Sequence, residues 1–148
     1  MTPMSRRQVM AASLGVGLGV TWQHAQALSD ELAGALRGFT GGAPTKEGRV
    51  HFDIAPLVEN GNTVPVTITV QSPMTAADHV QAIAVFNEKN PQREVVACRL
   101  TPASGKAVVS TRIRLATTQQ LIAVARMSDG SCWTHTVDVI VTLAACIE

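Results

Sequence analysis

The chain has 148 residues, 46% hydrophobic and 16% charged, with a formal net charge of +1. That is the length of one domain, too apolar for a disordered chain and without the basic excess that collects phosphates. Aromatics at 3%, with no Tyr, also argue against a stacking platform for nucleobases.

The first segment reads as an address. Ser5-Arg6-Arg7-Gln8-Val9-Met10 sets an Arg pair ahead of a mildly apolar run from Ala11 to Trp22. His24-Ala25-Gln26-Ala27 then gives the small-x-small pattern of a signal-peptidase site. The run is far shorter than the ~20 residues that span a bilayer, and Gly15, Gly17 and Gly19 keep it weakly hydrophobic. Residues 1–27 are therefore expected to be an export signal of twin-arginine type. An ordinary secretory signal that happens to contain Arg-Arg is the alternative. Cleavage after Ala27 would remove Arg6 and Arg7 and take the net charge from +1 to −1. No membrane span is expected in the mature form.

Residues 28–47 are expected to form a short helix and a linker. Ser29 can cap, Asp30 and Glu31 suit the positive end of a helix, and Leu28, Leu32, Ala35, Leu36 and Phe39 share a face. Thr40-Gly41-Gly42-Ala43-Pro44 then breaks the pattern.

From Arg49 the period becomes two. A short segment runs from Arg49 to Ile54. Val64, Val66, Ile68 and Val70 alternate with Thr63, Thr67 and Thr69, and Pro65 places that strand's start at an edge or ahead of full pairing. Val80 to Phe86 is apolar on both faces, as an interior strand would be. Glu94 to Leu100 follows, then Ala107 to Leu115 with a clear apolar–polar alternation. Leu121 to Met127 and Trp133 to Leu143 flank the Ser128-Asp129-Gly130-Ser131 turn. The expectation is an all-β sandwich of about seven strands over residues 48–143, with turn signals every ~8–12 residues.

Candidate chemistry is sparse. There is no G-x-S-x-G, no phosphate loop and no pair of carboxylates in any of these turns or strands. His51, His79 and His135 stand in no recognised ligand spacing, and solvent-facing histidines are the first reading. A metal site built from Cys132, His135 and His79 is a weaker one, so no metal is expected. Cys98 and Cys132 leave three readings open: a disulfide across the sandwich or between its edges, a redox or metal pair, or two buried thiols. Cys146 differs, because it follows the last strand on a tail. Four extended residues beyond Leu143 reach ~13 Å, far enough to enter another protein's pocket. An incidental thiol on a frayed end, or one used for intermolecular pairing, is the competing reading.

Several ordered motifs occur in one register. They are Asn60-Gly61-Asn62-Thr63-Val64-Pro65-Val66-Thr67, Gln71-Ser72-Pro73-Met74-Thr75, Thr101-Pro102-Ala103-Ser104-Gly105-Lys106-Ala107, Ser110-Thr111-Arg112-Ile113-Arg114-Leu115-Ala116 and Ser128-Asp129-Gly130-Ser131. Together they resemble the SoxY family, sulfur-carrier subunits of the periplasmic thiosulfate-oxidising Sox system, from about Gly48 to the C-terminus. The resemblance implies an immunoglobulin-like sandwich that pairs with a SoxZ-like subunit. It implies a carrier rather than an enzyme, holding sulfur covalently on the Cys of a C-terminal arm. A haem cytochrome would load that thiol and a sulfate-releasing hydrolase would act on the product. The matching residue is Cys146, in an arm over residues 144–148, and the cargo is covalently bound sulfur with no separate cofactor. The family's arm ends Gly-Gly-Cys-Gly-Gly, whereas Ala144, Ala145, Ile147 and Glu148 surround Cys146 here. Ala and β-branched Ile restrict the close approach and positive φ that Gly permits. Glu148 also places a negative charge near the thiol, disfavouring a thiolate and an anionic substrate. An assembly or interaction module of the same fold, with Cys146 incidental, is the alternative function.

Overall fold

A computed structural model describes residues 28–143. The leader with its cleavage site, residues 1–27, and the arm, residues 144–148, lie outside the described residues. One helix, α1 (Asp30–Thr40), precedes nine strands: β1 (Thr45–Glu47), β2 (Val50–Asp53), β3 (Leu57–Val58), β4 (Val64–Val70), β5 (Val80–Asn87), β6 (Glu94–Arg99), β7 (Val108–Ile113), β8 (Gln119–Met127) and β9 (Cys132–Val141). They form two sheets, one ordered β1-β9-β8-β5-β6 with β3 also on β9, the other ordered β2-β4-β7. The all-β sandwich preceded by a short helix is thus as expected.

The strand count differs from the expected seven because β1 and β3 are three and two residues long, too short to carry a period. Both run parallel to β9. Thr45–Glu47 pair with Cys132–Thr134, and Leu57–Val58 pair with Ile140–Val141. Between them the chain crosses to the other sheet as β2, so successive short segments cover the outer edge of β9 and leave little of it open to foreign pairing. Trp133 on β9 is flanked by Lys46 at 5.7 Å and Arg49 at 5.0 Å from its ring centroid.

The alternation along β4 becomes an inward face of Val64, Val66, Ile68 and Val70, all buried. Pro65 sits opposite Arg112 of β7, while β2 pairs only with Thr67–Val70. The missing N–H of Pro65 therefore falls where no ladder exists on the β2 side. Facing β4 across the core are Ile83, Val85, Leu121 and Val139.

The double-sided burial of β5 has two sources. Ile83 and Val85 face the sandwich core, whereas Ala84 and Phe86 join Ile122 and Val124 of β8 beneath Leu32, Ala35, Leu36 and Phe39 of α1. Ser29 caps that helix by accepting a hydrogen bond from the Leu32 N–H at 3.3 Å, and Gly41 closes it in the left-handed conformation at φ 65°. The helix supplies a lid for one outer face, which is why β5 and β8 read as apolar throughout.

The β8–β9 turn is held by Asp129. Its carboxylate accepts from the Ser131 hydroxyl at 2.6 Å and from the Ser131 N–H at 2.8 Å. These two bonds hold the acid below the usual carboxylate range.

Candidate functional site

The described residues contain the root of the arm. After Ile140 and Val141 the chain continues to Leu143, bonded at each step to the segment around β3. The Ile140 N–H donates to the Pro56 carbonyl and the Thr142 N–H to the Val58 carbonyl, each at 2.9 Å. The Thr142 hydroxyl donates to the carbonyls of Val58 at 3.4 Å and Glu59 at 3.3 Å. Gly61 closes the set, its N–H meeting the Leu143 carbonyl at 2.9 Å and its carbonyl accepting from Leu115 at 2.8 Å. Thr118 bonds β9 from the other side, its hydroxyl accepting from the Val141 N–H at 2.9 Å. A tail leaving Leu143 therefore departs from a backbone fixed on both flanks.

Three apolar side chains are exposed near that exit. Leu57 and Ile140, partners in the β3–β9 register, are each 55% exposed, and Leu143 is 61% exposed. Cys146 with Ala144, Ala145, Ile147 and Glu148 lies outside the described residues.

Cys98 and Cys132 are free thiols, which corrects the disulfide reading. Cys98 is on β6 and Cys132 on β9, with β5 and β8 between them. Three strand spacings amount to ~14 Å, against the ~7 Å limit between the Cα atoms of a bridged pair. The side chains also differ in face. Cys98 pairs with Ile83 of the sandwich core, whereas Cys132 pairs with Arg126 on the helix side. Burial pushes the Cys132 thiol above its ordinary value against the lowering pull of Arg126. Iodoacetamide on the folded protein is therefore expected to label half-buried Cys98 and to spare Cys132 until denaturant is added. Peptide mapping reads both, and equal labelling of the two in the native state would contradict this.

The histidines do not converge with Cys132. Residues three apart on a strand face opposite ways, so Cys132 and His135 point to different sides of β9. His135 Nδ1 accepts the Phe52 N–H at 2.8 Å, and its ring stacks on His51 with centroids 5.9 Å apart. His79 Nδ1 lies 3.0 Å from the Thr75 carbonyl. Among the described residues no three His, Cys, Asp or Glu side chains are grouped as metal ligands. Nor is any described helix long and apolar enough to cross a membrane.

A cleft of about 600 Å³ between α1 and the β5–β6 side of the sheet was not foreseen from sequence; Arg99 and Arg126 line it.

Sequence comparison matches residues 36–146 of the chain to the family described as "Sulfur oxidation protein SoxY". No curated protein matches it. Among solved structures it is similar to superoxide reductases. A neelaredoxin from Ignicoccus hospitalis superposes with a TM-score of 0.56 at 16% identity, covering 64% of this chain and 80% of that one. The superoxide reductase from Nanoarchaeum equitans gives 0.55 at 14% identity over 66% and 99% of the two chains. A neelaredoxin from Archaeoglobus fulgidus, in its reduced form, gives 0.52 at 13% identity over 65% and 98%. At such identities the likeness is one of fold alone.

Proposed function

The chain belongs to the SoxY family, and from that premise we propose that it is a periplasmic carrier that holds sulfur intermediates covalently on Cys146. The observation that carries this reading is the extent of the family match, which runs to residue 146 and so includes that cysteine. The anchored exit at Leu143 supports it. A carrier must present its thiol to successive partners, and a short tail on a fixed root does so without disturbing the sandwich.

The chemistry asks little of the body of the protein. In loading, the Cys146 thiol gives up its proton and joins the outer sulfur of thiosulfate, and two electrons leave one at a time through the partner haem cytochrome to its electron acceptors. The product is a thiosulfonate. Hydrolysis by a partner enzyme then adds water across the sulfur–sulfonate bond, releasing sulfate and one proton and leaving a persulfide, S–SH, on the arm. The reacting group must be a thiolate in both directions of exchange, which an exposed arm favours and a buried site would not.

In this reading the chain works as a heterodimer with a SoxZ-like subunit, and the Arg6-Arg7 leader exports it. Cys146→Ser is expected to abolish thiosulfate-dependent respiration while the variant still copurifies with the partner and melts at the wild-type temperature. Unchanged respiration in that variant would leave the chain an interaction module of the same fold, with its last cysteine idle.

A further inference from the structure

The cleft beside α1 has a constellation that the carrier role does not use. Ala82 of β5 is the register partner of Arg99 on β6 and also of Arg126 on β8. Side chains opposite one another in antiparallel strands share a face, so both arginines rise on the helix side with an alanine between them. Two strand spacings put their Cα atoms ~10 Å apart, with no bulk at Ala82 to fill the gap. Phe39 of α1 and Phe86 of β5 supply the apolar wall.

Neither arginine has spent its donors. Arg126 Nη1 donates to the Phe39 carbonyl at a long 3.3 Å, and its guanidinium lies 5.7 Å from the Phe39 ring centroid. Its Nε is buried and has no hydrogen-bond partner among the described residues. A guanidinium carries five N–H donors in a planar fork, and burying one of them unsatisfied is costly. Among the described residues the ion pairs are Lys89–Glu88 and Arg93–Glu31, which leaves Arg99 and Arg126 outside any. The acid that lines the cleft, Glu94, opens β6 five positions before Arg99, ~16 Å along the strand. The two charges of one sign therefore share one end.

We propose that this end of the cleft binds a small tetrahedral oxyanion, sulfate or the terminal sulfonate of thiosulfate, between Arg99 and Arg126. Its oxygens accept from both guanidiniums, the geometry for which arginine is best suited, and one of them satisfies the orphaned Nε. The site is separate from the arm. Arg126 pairs with Cys132 at the start of β9, whereas the arm leaves from the end of β9, ~30 Å along the strand. Three residues from Leu143 to Cys146 reach only ~11 Å. The bound anion is thus a non-covalent ligand, out of reach of the same chain's thiol.

The test is calorimetric titration of the mature chain carrying Cys146→Ser with sodium sulfate and with sodium thiosulfate, at ionic strength matched by sodium chloride. That substitution removes covalent loading, so the result is independent of the carrier reading. The expected result is saturable 1:1 binding of both anions, weakened at least tenfold by Arg99→Gln and abolished by Arg126→Gln. Arg112→Gln, on β7 of the other sheet, should leave it unchanged. Arg99 is exposed and unpaired, so its variant keeps the test decisive if Arg126→Gln fails to fold. No saturation, or equal binding by Arg99→Gln and the parent, overturns the proposal.

Discussion

Asn90→Ala is expected to lower the unfolding free energy by roughly 3–4 kcal/mol, from the desolvation of the polar groups it strands. Asn90 is 8% exposed and bonds in three directions. Its Nδ2 donates to the Arg114 carbonyl at 2.8 Å, while its Oδ1 accepts from the Ala116 N–H and from Gln119 Nε2, each at 2.9 Å. Asn87 and Gln119, also buried, extend the network. Asn87 Oδ1 accepts from the Asn90 N–H at 2.7 Å, and Gln119 Oε1 from the Lys89 N–H at 2.9 Å. These amides pin the β5–β6 loop to the β7–β8 connection. Ala removes the hub and leaves an acceptor and two donors without partners, in a place water enters poorly. Asn60, whose Oδ1 accepts from the Asn62 N–H at the surface, is the control, and its Ala variant should cost under ~0.5 kcal/mol. Urea melts of both variants read the difference. A loss below ~1 kcal/mol at Asn90, the low end for one stranded polar group, would contradict the account of the network.

The second large effect is expected at Phe86, where replacement by Ala should cost ~3–5 kcal/mol. Phe86 is 1% exposed, and its ring meets Phe39 edge-on with centroids 5.8 Å apart. An 11-residue helix is marginal by itself, so α1 depends on the patch that Phe86 shares with Ala84, Ile122 and Val124. The loss should be partly local. Amide exchange in α1 is expected to accelerate more than exchange in β4, which packs on the other side of the sheet. Uniform acceleration across both elements would mean that α1 and the sandwich unfold as one unit.

The sequence made the long elements legible because each has enough residues to show a period. The helix from its Ser29 cap, the alternation of β4 and the two-faced apolarity of β5 all appear in the structure where composition placed them. The segments β1 and β3 did not show, since their existence depends on the edge of β9, which lies far away in sequence. The same limit explains the cysteines. Strand order separates Cys98 from Cys132 by two intervening strands, and order is a tertiary fact that no local pattern encodes. The Arg99–Ala82–Arg126 row was invisible for this reason too, being assembled from three strands. Cys146 lies outside the described residues; what points to it is the family match, which runs to residue 146.

The most direct test of the carrier account is intact-mass analysis of the periplasmic protein from thiosulfate-grown cells, prepared without reductant and followed by peptide mapping. The account predicts a reductant-labile sulfur adduct on Cys146 alone, absent from Cys146→Ser, and a mature N-terminus at Leu28. An unmodified Cys146, or one found only in a disulfide between two copies, would contradict it.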